Sequence, residues 1–282
     1  LYEPCFAYVI KRRGKESKNA IILITLVAGF AGTISFPLAN VLADIFDWRI
    51  SLRFFSLLII LFVVPLIYLA TSAEEKLDFN ISNKKNKDKK YNIKNDLLQF
   101  KFVFLFISFS TLTLSHGSIV THVIPLLLER KMTEGIEILF SSLIGPMQVV
   151  GRLAMIALQG KKFSISSISV LIFLFKAFAV GCLLVAGNNI FLIMLFVIFM
   201  GAGAGMTSIS RAVVVADIMG YERFASISGV IALGAIGGSA VAPIFGAQLW
   251  EFGGYDLMLK TVLIILFIGL INYFTVLKLN KK

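Results

Sequence analysis

Eight stretches of this 282-residue chain are apolar for about twenty residues or more: 20 to 43, 52 to 71, 98 to 128, 137 to 158, 164 to 186, 190 to 212, 224 to 249 and 256 to 277. A ninth, 1 to 10, has about half that length. A helix rises about 1.5 Å per residue and the hydrocarbon core of a bilayer is about 30 Å thick, so roughly 20 apolar residues are what one crossing needs. None of the nine alternates as a half-buried strand would, and only structures that satisfy their own backbone can cross lipid, so all nine read as helices. Composition points the same way. The chain is 58% hydrophobic and 15% charged, against about 25% charged for a soluble domain that must cover itself with polar side chains. A water-soluble enzyme does not fit.

The net charge is +11. In a soluble protein this would suggest nucleic acid, but here the basic residues lie between the apolar runs, as membrane loops do, and no nucleic-acid partner is expected. Taking alternate connections, one side holds only Arg49, Arg53, Arg130, Lys131 and Lys260, and Lys176 falls inside a span. All other Lys and Arg fall on the opposite side, which the positive-inside rule makes cytoplasmic, the C-terminus included. The expected location is a cytoplasmic (inner) membrane, multi-pass. The connection 72 to 97 contains KKNKDKKYNIKND, polar and Lys-rich without apolar periodicity, and reads as a mobile cytoplasmic linker. It divides the end of one helical bundle, 1 to 71, from a six-helix bundle, 98 to 282. Cys5 and Cys182 lie far from any second Cys or His at ligand spacing, so neither a disulfide nor a metal is expected.

Shifted by 206 positions, the chain pairs Gly14 with Gly220, Glu16 with Glu222, Gly32 with Gly238, Pro37 with Pro243 and Phe46 with Phe252. The order of elements repeats as well: stub, basic turn, small-residue helix with a late proline, short outer loop. If the repeat unit has six helices, about three and a half spans precede residue 1. Three stretches then carry a likeness: GFAGTISFPLANVLADIFDWR at 29 to 49, IGPMQVVGRL at 144 to 153, and RAVVVADIMGYERFASISGVIALGAIGGSAVAPIFGAQL at 211 to 249. Over essentially all its residues the chain resembles the last two thirds of a twelve-helix transporter of the major facilitator superfamily. The resemblance implies an all-α membrane bundle of that type, with about eight and a half of the twelve helices here. The Gly151–Arg152 pair, late in the second helix after the linker, is similar to monocarboxylate porters, which usually carry an acid one turn earlier, where this chain has Gln148. The family's antiporter motif is absent from 20 to 43.

A charge in the hydrocarbon layer costs at least about 2.5–3.5 kcal/mol, so each one present needs a partner, water or a route to the surface. Five ionisable residues are candidates. Arg152 lies nine residues from Lys161, about 14 Å deep, near the midplane where alternating-access carriers bind substrate. Its guanidinium would anchor a carboxylate, with Gln148 one turn away on the same face as a second donor; the plainer reading is a side chain that snorkels to the surface. Arg211 is shallower, about 9 Å along its helix from Asp217, which suits a gate-like ion pair or snorkelling, and Thr207 and Ser208 beside it either line the cavity or bond back to their own helix. Glu3, about 12 Å deep, would carry a proton or balance an arginine. His116, followed by Gly117 and Pro125, which permit local unwinding, would be a titrating gate or a neutral hydrogen-bonded ring. Lys176 is central in its span, but the resemblance makes that helix peripheral.

The GAGAG at 201 to 205 lacks the preceding strand of a dinucleotide site and reads as close helix packing. Gly234, Gly238, Ala242 and Gly246 recur every four residues, giving one helix face small enough for a neighbour's backbone. Pro37 and Pro243 favour kinks. With no phosphate-binding loop, energy would come from a gradient of protons or another ion, or of the substrate. The leading expectation is therefore a monomeric secondary transporter, a symporter of a small organic anion such as a monocarboxylate, working by alternating access, with no cofactor and only lipids as further partners. An exporter of hydrophobic, drug-like compounds is the alternative within transport. A non-transporting sensor or a membrane-embedded enzyme is the alternative outside it; His116 and His122, six residues apart on different faces of one helix, with no acidic or Cys cluster, argue against catalysis.

Overall fold

The computed structural model describes residues 2–14, 17–29, 31–69, 97–132, 135–159, 164–221 and 224–281. These residues are helical almost throughout: α1 (Tyr2–Arg13), α2 (Ser17–Gly29), α3 (Ala31–Ile45), α4 (Trp48–Leu58, continued by a π-helical turn at Ile59–Val63), α5 (Phe100–Glu129), α6 (Ile136–Gln159), α7 (Ile165–Val185), α8 (Ile190–Met219) and α9 (Phe224–Lys281). Among them six helices are long and apolar enough to cross a membrane, so the coarse expectation of an all-α, multi-pass membrane protein holds. The reading of 72 to 97 as a linker lies outside the described residues, save its last position. The chain divides into two compact units, Leu1–Phe30 with Ile93–Lys282 and Ala31–Asn92.

In the smaller unit α3 packs on α4, and Ser51 Oγ donates to the Ala39 carbonyl at 3.2 Å. The turn between them is held by Asp47, whose carbonyl accepts from Ile50 and Ser51 and whose carboxylate pairs with Arg49 at 3.4 Å. From Leu57 to Leu69 every side chain of the α4 continuation is exposed, the pattern of a helix apolar all round whose solvent is lipid.

In the larger unit α5 is the central pillar, and α9 folds around it. α9 is broken at Gly253 and Gly254, the latter at φ 70, into two halves. Its first half lies along α5 in parallel and is seated by the small-residue face: Gly234 meets Phe106 and Ser110, Gly238 meets the Ser110 carbonyl, and a Cβ on Gly117 would come within 2.6 Å of the Ala242 Cβ. Its second half runs back antiparallel, with Ser108 Oγ donating to the Gly269 carbonyl at 3.1 Å and Lys101 Nζ to Asn280 Oδ1 at 3.4 Å. Such close approach replaces the hydrophobic drive that helices lack in lipid by dispersion contact and interhelical hydrogen bonds.

Three expectations change in detail. α8 does not stop at 212 but runs to Met219, because Ala212, Val213, Val214, Val215 and Ala216 after Arg211 are all buried and continue the apolar face. α5 passes unbroken through Gly117 and Pro125; Gly117 serves the Ala242 contact rather than local unwinding. α9 likewise keeps helical backbone angles through Pro243 and breaks ten residues later. Helix ends follow ordinary capping: Ser164 Oγ accepts from Ser167 N at 3.1 Å before α7, and Asn189 Oδ1 from Phe191 N at 3.0 Å before α8, each satisfying a donor the first turn leaves open.

Candidate functional site

α8 sits between α6 on one side and α7 on the other, and its GAGAG stretch divides the work by position. Gly201 and Gly205, four apart, face α6: a Cβ on Gly201 would lie 2.7 Å from the Ile144 carbonyl oxygen, and Gly205 lies against the Gln148 backbone. Gly151 of α6 answers with direct contact on the Ala202 backbone. Gly203 faces the opposite way, with the Lys176 Cγ 3.1 Å from where its Cβ would be. The packing reading of GAGAG holds. Its consequence is that Arg152, next to Gly151, and Lys176, opposite Gly203, stand at one level on two sides of the same helix.

Arg152 is buried at 7% exposure, and its Nε has no hydrogen-bond partner among the described residues. α1 and α2 pack against α6, α8 and α9, and Tyr2 of α1 lies within electrostatic reach of the guanidinium. A guanidinium carries five donors in a planar fork, and a buried donor left unpaired costs about 1–3 kcal/mol. Gln148, one turn before it, is half-buried on the same helix.

The remaining expected residues fall as follows. Thr207 Oγ1 donates to the Gly203 carbonyl at 2.6 Å and Ser208 Oγ to the Gly205 carbonyl at 2.9 Å. Both hydroxyls thus bond back to their own helix and keep their lone pairs for acceptance. Arg211 is half-buried one turn further on, Asp217 is exposed, and both make further contacts of their own. Asp217 accepts from the Tyr221 hydroxyl; burial and that carboxylate raise the phenol's pKa well above its ordinary value. Glu3 lies on α1, its side chain outside the described residues.

His116 and Lys176 come together on the far side of α8. Lys176 is 1% exposed and its ammonium donates to the Leu112 carbonyl of α5 at 3.2 Å; the His116 ring is within reach of its charge. The sequence reading treated them separately and set Lys176 aside as peripheral. The signal was present: it is the one ionisable residue in the run 164 to 186, and an intramembrane charge is by default functional.

A second set of contacts, not anticipated at all, joins the far end of α5 to α9 around its break. His122 Nε2 donates to the Pro243 carbonyl at 3.0 Å, Trp250 Nε1 donates to Glu129 at 3.2 Å, and Arg130 pairs with Asp256 at 3.4 Å while also donating to the Leu183 carbonyl. Glu129 and Arg130 therefore grip α9 on both sides of Gly253–Gly254. No group of three or more His, Cys, Asp or Glu able to hold a metal occurs among the described residues. No protein-family model and no curated protein matches the chain.

Proposed function

We propose that this protein is a secondary active carrier of the major facilitator type, moving a small organic anion such as a monocarboxylate across a cytoplasmic membrane by alternating access. The observation that carries the reading is Arg152: a guanidinium in the second half of a membrane-crossing helix, buried, within electrostatic reach of Tyr2, with an Nε that has no partner among the described residues. A fixed cation costs several kcal/mol in such a place, and an anionic substrate offsets that cost only while it is bound. The small-residue faces of α6, α8 and α9 support the same reading, since helices that meet backbone to backbone can slide as rigid units between two arrangements. The excess of Lys and Arg on alternate connections puts the C-terminus on the cytoplasmic side.

The test uses the purified protein in proteoliposomes, with uptake of radiolabelled lactate under an inward proton gradient, in wild type, Arg152→Ala and Arg152→Lys. Losing a charge-assisted contact worth about 1.5–3 kcal/mol lowers uptake about 10- to 100-fold in the alanine variant. The lysine variant, which keeps the charge but not the fork, falls in between. Wild-type uptake with both variants unimpaired and normally inserted removes the basis of the anion reading.

A further inference from the structure

The transport reading makes no use of the cluster on the closed side of α8. Lys176 of α7 meets two other helices there: its ammonium donates to the Leu112 carbonyl of α5, and its stem lies against Gly203 of α8, where any side chain would displace it. In a helix the Leu112 carbonyl already accepts from the N–H four residues on, so the ammonium is held at the root of His116. Among the described residues the His116 Nδ1 is buried without a hydrogen-bond partner, and so is Ser115 Oγ beside it. Among the described residues neither base has an ion-pair partner. An ammonium has three protons to donate, and only Leu112 is seen to take one.

We propose that Lys176 and His116 form a proton-binding site inside the helical bundle, a pair of bases whose shared protons are the ions that drive the carrier. The first half stands on the cluster itself; the second rests on the transport reading above. Lys176 and the His116 Nδ1 atom are buried, so the occupant we assign is a proton, with at most a water to bridge the two orphan atoms. The His116 ring lies within electrostatic reach of the Lys176 ammonium, and two positive charges so placed away from water repel. Their titrations are therefore coupled, and the protons belong to the pair rather than to either residue. Loading such a pair changes the charge on the Lys176 amine and so the strength of its bond to the Leu112 carbonyl, which ties α7 to α5 differently in each state.

The ionisable groups of the surrounding elements stand apart from it. On α8 the next one is Arg211, eight residues past Gly203, about 12 Å along the axis. On α9 Tyr273 donates to the Ser166 carbonyl, ten residues and about 15 Å before Lys176 on α7, while Asp256 is spent on Arg130. On α6 the Glu137 carboxylate accepts from Gly135 N at the start of its own helix, and Arg152 lies within electrostatic reach of Tyr2. On α5 itself His122 is bonded to Pro243.

The experiment follows the ring nitrogens of His116 by NMR in the full chain in lipid, labelled with 15N-histidine, from about pH 5 to about pH 9. Wild type is compared with Lys176→Met and Lys176→Arg, and His122→Asn identifies the signals. Coupling displaces the His116 midpoint by about one pH unit or more in the methionine variant, with the arginine variant remaining near wild type. An unchanged midpoint in the methionine variant overturns the site. Where that variant does not fold, the reciprocal measurement, the Lys176 Nζ signal in wild type and His116→Asn, decides in the same way. In proteoliposomes, lactate uptake by Lys176→Met no longer responds to the proton gradient while lactate exchange persists; a response equal to wild type overturns the driving role. Coupled midpoints in a wild-type protein that takes up no lactate leave the proton site in place and reject the transport reading alone.

Discussion

Arg152 and Lys176 are two buried cations separated by one helix, and they are buried for opposite ends. Arg152 sits where α6 and α8 touch backbone to backbone, within electrostatic reach of Tyr2 and with its Nε unpartnered among the described residues. Lys176 sits where α7 and α8 meet through its own stem, its head tied to a carbonyl of α5. The first arrangement holds a planar fork ready for something from outside the helix; the second closes a point charge in with a second base. A guanidinium is weakly hydrated and always charged, whereas an amine exchanges its proton. The chemistry of each side chain thus fits the openness of its place.

The contrast is sharpest in the glycines. Gly205 lies against the Gln148 backbone, which cannot turn aside, while Gly203 faces the flexible stem of Lys176. Gly205→Ala is expected to destabilise the bundle by about 2–3 kcal/mol through forced separation of α6 and α8. Gly203→Ala is expected to cost less than about 1 kcal/mol, because the lysine can shift by a few tenths of an ångström. Unfolding in mixed detergent micelles measures both, and equal losses would break the distinction between the two faces.

Much of this was legible from the sequence, and the reason is periodicity. Gly234, Gly238, Ala242 and Gly246 repeat every four residues and do seat α5; Gly201 and Gly205 obey the same spacing; Gly253 and Gly254 interrupt the long apolar run where a loop was read. Arg152 could be ranked because depth follows from counting along a helix. Lys176 was set aside because the resemblance made its helix peripheral, and what a helix count leaves open is rotation about its axis: a helix taken as peripheral can still aim one residue inward. Partners far apart in the chain, His122 with Pro243 or Trp250 with Glu129, have no sequence signal, since nothing local in either segment specifies the other.

The next effect is in the charges themselves. Lys176→Met keeps the length and volume of the stem and removes a buried ammonium that has no ion-pair partner among the described residues, so it is expected to stabilise the bundle by about 1–2 kcal/mol, as replacement of buried charge by apolar groups does elsewhere. Arg152→Met, which removes a buried guanidinium whose Nε has no partner among the described residues, is expected to stabilise the bundle by a similar amount, about 1–2 kcal/mol, but unlike Lys176→Met to abolish anion uptake. A loss of stability in Lys176→Met would show that the ammonium holds α5 and α7 together and would make the lysine structural.

The smallest effects separate the hydroxyls of α8. Ser210, on the closed side, is fully buried and bonded across to Ser169 of α7, which also donates to the Ile165 carbonyl. Thr207 and Ser208 bond only to their own helix. Interhelical hydrogen bonds in membranes average about 0.6 kcal/mol, so Ser210→Ala is expected to cost about that much in micellar unfolding, with uptake per folded protein unchanged. Ser208→Ala is expected to cost less than about 0.3 kcal/mol, since the carbonyl it leaves keeps its backbone donor. Its lactate KM is expected to rise a few-fold at constant stability, because a hydroxyl satisfied by its own helix still offers lone pairs and can turn toward a ligand. If instead Ser208→Ala lowers stability and leaves KM alone, the α6 side of α8 is packed as tightly as the α7 side, and the difference between the two cations lies in their own chemistry rather than in the space around them.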